Sequence, residues 1–251
     1  TQMGDQPLFF NEVTVRNALG QSLVVDGSIT RIHERENTTD GYVITLRDIS
    51  ELKRLSDTLN YQASHDTLTG LSNREEFSYK LGEIVKNVRL TGGVHSLIVM
   101  DIDRFKAVND TCGAMAGDEL LRQVASHIQT SIQRQDISAR IGGDEFAIIL
   151  MNCDTTGSAS VASRLQTALQ QQSFVWQNLT FPITLSLGIV PIDREAGDIH
   201  AILAAADDAC HLSKEEGGSK TTLFQAQDSK FRQRRGDMEW IGKINRAVEE
   251  N

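Results

Sequence analysis

The chain has 251 residues, 39% hydrophobic and 24% charged, with a formal net charge of -9. This is ordinary globular composition, enough for one good core plus accessory pieces. The acidity argues against a general nucleic-acid binder, whose phosphate contacts need clustered Lys and Arg. The three cysteines, Cys112, Cys153 and Cys210, lie far apart with no C-x-x-C spacing. A disulfide framework or zinc site is therefore not expected, and reduced cytoplasmic thiols are. No run approaches the ~18 apolar residues of a membrane span. The start TQMGDQPLFF lacks the basic-then-apolar pattern of a signal peptide, so any membrane anchor of the complete protein is expected outside this chain.

Residues 1–49 read as strands. Asn11 to Arg16, Ser22 to His33 and Gly41 to Asp48 are rich in Val, Ile and Thr, with turn-like breaks at 18–21 and 34–41. Three strands bury little and make a marginal independent unit. The stretch from Val13 through Gly41-Tyr-Val-Ile-Thr-Leu-Arg-Asp48 to the exit Asp48-Ile49-Ser50-Glu51 resembles the last three strands and exit of a PAS sensory domain. The front half of such a domain, which forms most of its ligand pocket, is absent, so no bound cofactor is expected in this piece. Residues 50–64 read as a connecting helix. Leu52, Leu55 and Leu59 form a short heptad seam, which either pairs with a second chain or packs on the neighbouring domain.

His65-Asp66-Thr67-Leu68-Thr69-Gly70-Leu71-Ser72-Asn73-Arg74 reads as a structured loop. Asp66 is expected to tether it by hydrogen bonds rather than to do acid–base work. Asn73 or Ser72 caps the helix that follows, running from Arg74 to about Leu90. Ser96 to Met100 is a continuous apolar run, as for a strand buried on both faces. It ends in Asp101-Ile102-Asp103. Asp103 could serve as a helix N-cap. Asp101 is harder to explain that way, because a lone carboxylate at a core edge needs a cation or donor.

Further along, Leu120, Leu121, Val124, Ala125, Ile128 and Ile132 mark one apolar helix face. Strands follow at Ile137 to Ile141 and Phe146 to Met151. Ser158 to Gln171 is a helix, Phe174 to Leu179 and Phe181 to Val190 are strands, Ala201 to Glu216 is a helix, and Thr221 to Phe224 is a closing strand. Helices alternating with strands predict a mixed central sheet flanked by helices, an α/β or α+β sandwich. The tail, 228–251, is helical in pattern with Met238, Ile241, Ile244 and Val248 on one stripe. It stops mid-pattern, so a further domain is expected beyond it.

Between the paired strands lies Arg140-Ile141-Gly142-Gly143-Asp144-Glu145-Phe146. This predicts a hairpin with a two-residue Gly-Gly connection, the glycines supplying positive φ. Asp144 and Glu145 are expected to point to opposite faces. Taken alone, an ordinary solvated turn explains these residues better. Asp101 changes the balance, because two carboxylate-bearing strand ends are spaced as if on neighbouring strands. Metal-assisted phosphoryl or nucleotidyl transfer needs such carboxylates to hold Mg²⁺, a Lys to screen phosphates and polar side chains to read a base.

Four motifs agree in order and spacing: His65-Asp-x-Leu-Thr-Gly-Leu-x-Asn-Arg74, Asp101-Ile-Asp-x-Phe-Lys-x-x-Asn109-Asp110, Gly117-Asp118 and Arg140-x-Gly-Gly-Asp-Glu-Phe146. Over about residues 61–226 the chain resembles the GGDEF-domain diguanylate cyclases. The start of the tail, Arg235 to Ala247, resembles the lead-in to an EAL phosphodiesterase domain. The resemblance implies a fold related to nucleotide cyclases and polymerase palms. It implies a domain order of 1–49 partial PAS-like strands, 50–64 linker, 65–227 GGDEF domain and 228–251 tail. It also implies condensation of two GTP into cyclic di-GMP, one nucleotide on each subunit of a homodimer. Asp101, Asp144 and the Ile102 carbonyl would bind Mg²⁺ (or Mn²⁺), with Glu145 the neighbouring acid and Asp144 helping to take a proton. Gly142 and Gly143 would admit the nucleotide, Asn109 and Asp118 would bond the guanine edge, and Phe105, Lys106 and Lys214 would line the phosphates.

Two departures stand out. The family's inhibitory Arg-x-x-Asp site reads Gln133 and Asp136, with Arg134 one place off, so product inhibition there is not expected. The late motif Tyr-x-Ala-Lys-x-x-Gly-Arg-Asn reads His211-Leu-Ser213-Lys214-Glu-Glu-Gly217-Gly218-Ser219, with Gly218 where a phosphate-binding arginine is usual and Lys220 as a candidate substitute. An active cyclase is the first reading. A regulatory GTP-binding module controlling a downstream phosphodiesterase is the second, and a purely structural dimerisation domain the third.

Overall fold

The structure is a computed structural model that describes residues 7–33 and 40–225. The turn read over 34–41 falls largely outside the described residues, and the tail read over 228–251 falls wholly outside them. The chain divides into two compact units, Thr1–Ala63 and Ser64–Asn251.

In the first unit β1 (Leu8–Arg16), β2 (Ser22–His33) and β3 (Asp40–Asp48) form an antiparallel sheet in the order β1-β2-β3, and α1 (Ser50–Ser64) follows. The Phe10 ring covers Gly27 of the paired strand, filling space a side chain would need. The Val24 N–H donates to Ser50 Oγ and the Ile49 N–H to Val24 O, which ties the helix start to β2. Among its described residues only Val25 and Ile49 are buried hydrophobics. Leu52, Leu55 and Leu59 of α1 are 62%, 56% and 65% exposed.

The second unit has an α+β fold. Its helices are α2 (Arg74–Thr91), α3 (Phe105–Cys112), α4 (Ala114–Ser131), α5 (Thr155–Gln171) and α6 (Ile199–Glu215). Its strands are β4 (His95–Ile102), β5 (Ile137–Arg140), β6 (Glu145–Leu150), β7 (Phe174–Trp176), β8 (Leu179–Phe181), β9 (Leu185–Ile192) and β10 (Thr221–Leu223). The main sheet runs β10-β9-β4-β6-β5, with β10 parallel to β9 and the other pairs antiparallel. One face packs on α4 and α5 through Ile98, Met100, Phe146, Leu120, Val124 and Leu165. The other packs on α2 and α6 through Leu97, Val99, Ile149, Phe77, Leu81 and Ala206. Every residue of the central strand β4 is buried, which its unbroken apolar run demands.

Local chemistry sets most boundaries. Asn73 caps α2 by accepting the Glu76 N–H at 2.9 Å, and Glu75 and Glu76 occupy the favourable first turn. Asp154 caps α5 by accepting the Gly157 N–H, so that helix starts at Thr155 rather than Ser158. Two strand expectations need correction. The run Phe174 to Leu179 is broken into the β7–β8 hairpin, with Gln177 at φ 53. The next strand begins at Leu185 and passes through Pro191 to Ile192. Pro191 is tolerated because β10 pairs only with Leu187 to Ile189, so the proline's missing N–H faces no partner strand.

Candidate active site

The functional side chains gather at one end of β4 and β6. Asp101 pairs across strands with Glu145, so these two carboxylates share a sheet face. Asp144 precedes β6 and faces elsewhere. An open cleft of about 620 Å³ is lined by Asp101, Ile102, Asp144, Phe105, Lys106 and Lys214, along with Asp103, Arg104, Thr184 and Gly218. A smaller cavity of about 250 Å³ is lined by Asp101, Glu145, Asp207, Asp208, His211 and Lys214. Alternation along the chain thus sends Asp144 and Glu145 into separate cavities, with Asp101 at the wall between them.

The hairpin differs from its sequence reading. β5 ends at Arg140 and β6 starts at Glu145, so the link is Ile141-Gly142-Gly143-Asp144. Neither Gly142 nor Gly143 has positive φ. At Gly142 the close neighbour is the Glu145 carboxylate, which folds back into the volume an added Cβ would take and would have to move aside for a larger residue. Gly143 has open space around its Cα. Arg140 holds the link by donating from Nε and Nη2 to Gly143 O at 3.1 and 2.8 Å.

Asp101 is 5% exposed. Burial, aided by the Asp144 and Glu145 carboxylates, pushes its carboxyl up to about 6, although the Lys214 ammonium pulls the other way. Lys214 Nζ lies 2.5 Å from Asp101 Oδ2. Burial opposes the charge on Lys214, but its bond to Asp101 holds it above its usual value. Cys210, buried beside them, donates to Ser186 O, and burial pushes its thiol up to about 12. It is no nucleophile.

Asp103 does not cap α3. It accepts from Thr184 Oγ1 (2.7 Å), Ser186 Oγ (2.6 Å) and the Ser219 N–H (2.8 Å), joining the ends of β4 and β9 to the loop after α6. The cap position of α3 is Arg104, in left-handed conformation with no side-chain hydrogen bond to the helix. Asn109 and Asp118 both lie outside the cleft lining. Asn109 Oδ1 lies against the Cα of buried Gly117, the residue before Asp118, and Phe105 Cζ closes the same spot. Phe105 therefore joins the cleft to the corner formed by Asn109 and Gly117. Lys220 is committed elsewhere, 3.5 Å from Glu216. Asp136 accepts the backbone N–H groups of Gln133 and Met151, a local structural use.

Sequence reasoning missed Asp103, Arg104, Thr184 and Asp207 as members of this region. Asp103 and Arg104 sit inside a quoted motif, but Thr184 and Asp207 carry no local signal. Among the described residues no group of three or more His, Cys, Asp or Glu side chains gathers as a metal centre. What the cleft does offer is hard oxygen: the Asp101 and Asp144 carboxylates, with the third, Asp103, held by its own hydrogen bonds, and Ile102 beside them in the lining. That donor set suits Mg²⁺, which keeps several waters and takes phosphate oxygens from a substrate.

Comparison with known proteins agrees with this geometry. Residues 63–220 match the family described as diguanylate cyclase, GGDEF domain, and the chain belongs to that family. It is 33% identical over 240 residues to "Probable diguanylate cyclase DgcE" of Escherichia coli (strain K12), covering 96% of this chain and 22% of that protein. It is 32% identical over 231 residues to "Cyclic di-GMP phosphodiesterase PdeB" of Shewanella oneidensis, covering 91% of this chain and 26% of that protein. The chain thus spans about a quarter of the length of these curated relatives. Among solved structures, the coiled coil and GGDEF domain of DgcB from Caulobacter crescentus in complex with c-di-GMP aligns with a TM-score of 0.65 and 28% identity. That alignment covers 70% of this chain and 93% of that one. Among the described residues no helix is long and apolar enough to cross a membrane.

Proposed function

We propose that the chain is a diguanylate cyclase that condenses two GTP molecules into cyclic di-GMP, releasing pyrophosphate, with Mg²⁺ (or Mn²⁺) bound and two subunits acting together. The observation that carries this reading is the single cleft lined by Asp101 and Asp144 together with Lys106 and Lys214. Asp101, Asp144 and the Ile102 carbonyl are the residues that would hold the metal. Bound there, the ion stabilises charge developing between attacking and leaving oxygens. Lys106 and Lys214 neutralise phosphate oxygens. The first turn of α3, uncapped by any side chain, adds main-chain N–H groups facing anionic ligands. Asn109 and Asp118 hydrogen-bond the guanine edge, and Gly143 leaves the backbone open to the nucleotide. Asp144 also helps withdraw the proton from the attacking 3′-hydroxyl in this reading. Glu145 lines the other cavity and acts on the site through Asp101.

Each subunit holds one nucleotide, so attack requires two clefts face to face, a positional catalysis that needs a dimer. The exposed Leu52, Leu55 and Leu59 stripe supports pairing through α1. In this reading 1–49 is a PAS-like remnant, 50–64 a linker, 65–227 the catalytic domain and 228–251 the approach to an EAL domain. Incubation with GTP and Mg²⁺ at two protein concentrations tests it. Cyclic di-GMP is expected, with rate rising more steeply than protein concentration. Replacing the three leucines by Ser should flatten that dependence, and no product at high protein concentration counts decisively against the reading.

One observation favours a second reading, a GTP-binding regulatory module for a downstream phosphodiesterase. Gly218 replaces an arginine, and its φ of +74 leaves no easy return to one. The similarity to a protein named a cyclic di-GMP phosphodiesterase points the same way. This reading expects GTP binding by calorimetry without turnover.

A further inference from the structure

We propose that Arg104 grips the β- and γ-phosphates of the bound nucleotide, in place of the arginine missing at Gly218. The inference rests on the nucleotide reading above and deepens it. Four observations lead to it.

Arg104 lines the large cleft together with Lys106, Lys214 and Gly218. The cleft's cations differ in what they are already doing. Lys214 is committed to Asp101, and nearby Lys220 to Glu216. The Arg104 guanidinium has no hydrogen bond or ion pair with any described residue. Arg89, Arg140 and Arg164 of this unit are tied down, Arg89 to Gly197 O, Arg140 to Asp66 and Gly143, and Arg164 to Ser131 O, while Arg104 is the one arginine among the cleft's lining residues. A planar guanidinium left free in a cleft suits two phosphate oxygens at once.

The backbone at Arg104 is strained. Its φ of 59° and ψ of 24° are left-handed, a conformation that crowds the Cβ of a non-glycine residue against its own backbone. The position is held by its neighbours. Asp103 is locked by three hydrogen bonds, and α3 begins directly after. A glycine would relieve the strain, yet the chain carries arginine. Strain retained at a cleft points to use of the side chain.

The loop after α6 cannot supply the charge. Gly217, Gly218 and Ser219 all have positive φ, at 109°, 74° and 55°. A Cβ on Gly218 would lie 3.1 Å from both Asp103 carboxylate oxygens. An L-residue there is both strained and crowded, so the cation has to come from another residue of the lining. Finally, the cleft contains three carboxylates, Asp101, Asp103 and Asp144. A polyphosphate entering it needs more than the one uncommitted lysine, Lys106, to offset them.

The test measures affinity for GTP and for GMP, both with Mg²⁺, by competition against a fluorescent GTP analogue. The unaltered chain is compared with R104G and R104K, and thermal unfolding is recorded without nucleotide. R104G should bind GTP about tenfold more weakly, the scale of one lost charge-assisted phosphate contact. Its GMP affinity should stay within about twofold, and its unfolding temperature should be equal or higher because the strain is relieved. R104K should fall between. A merely structural Arg104 predicts lower stability and equal losses for both nucleotides, and that result overturns the assignment. Unchanged GTP affinity in R104G overturns it as well, while leaving the cyclase reading intact. No GTP binding by the unaltered chain overturns both.

Discussion

Asp66 and Arg140, 74 residues apart in sequence, meet through Arg140 Nη1 at 3.3 and 3.2 Å from the two Asp66 carboxylate oxygens. The remaining nitrogens of the same guanidinium grip Gly143 O. One side chain thus fastens the loop ahead of α2 to the hairpin link that presents Asp144. Thr69 completes the anchor by donating its N–H and hydroxyl to Asp66 Oδ1. This is the tethering role expected for Asp66 in place of acid–base chemistry.

Arg140→Met should therefore affect both stability and the site. Both partners are mostly buried, with side chains 16% and 24% exposed. Leaving Asp66 without its charge partner should cost about 2 kcal/mol in urea unfolding. Cyclic di-GMP formation should fall further than GTP affinity, because the lost contact orients Asp144 rather than the base. Equal stability and turnover in the variant would refute the clamp.

Asp101→Asn removes a carboxylate crowded by burial and by Asp144 and Glu145. Product formation should be lost. Thermal stability without metal should hold or rise, since a costly buried charge is gone and half-exposed Lys214 can turn to solvent. Adding Mg²⁺ should raise the unfolding temperature of the unaltered chain and leave that of the variant unmoved. A metal-induced shift of equal size in both rules out Asp101 as a ligand.

Gly117→Ala tests the base-binding corner. Its methyl would collide with Asn109 Oδ1 and press on Phe105. Overpacking of this kind costs roughly 1–3 kcal/mol. Displacing Asn109 should also weaken preference for GTP over ATP. Retained preference in a folded variant would separate Asn109 from guanine recognition.

Acid should destabilise the chain in two stages. His95 is 6% exposed and its Nδ1 accepts the Asn152 N–H at 2.9 Å. Burial lowers its pKa below the usual 6.5. The unfolded chain then binds this proton more readily, so stability is full above about 6.5 and declines as pH falls below that. Asp66 acts lower down. Burial opposes its charge, but the Thr69 and Arg140 bonds prevail and hold it below 3.8. Its contribution is present above about 3.9 and fades as pH drops through the lower folded value. Asp101, with its folded value at about 6, takes up a proton on folding over the same range and offsets part of the His95 loss, so urea midpoints from pH 7 to 5 should fall more steeply in the unaltered chain than in His95→Gln. Parallel profiles in the two chains contradict this assignment.

Much of this protein is written locally. A cap marked α2 and apolar periodicity marked α4, because a helix face and its end residues lie within a few positions of one another. The unbroken run before Asp101 marked a buried strand for the same reason. The spacing of Asp101 and Asp144 foretold neighbouring strands, and β4 and β6 are neighbours. Tertiary structure decided the rest. Asp103 read as a cap, since its partners Thr184, Ser186 and Ser219 lie 81, 83 and 116 residues away. The glycine link read as a primed turn, since nothing local shows that Glu145 folds over Gly142. Whether Asp101 faces Asp144, Glu145 or both depends on strand register and on the position of α6. Sequence named the carboxylates through their local spacing. Only the packing of distant elements, which fixes where water and counter-charges are excluded, decided which of them share a cleft.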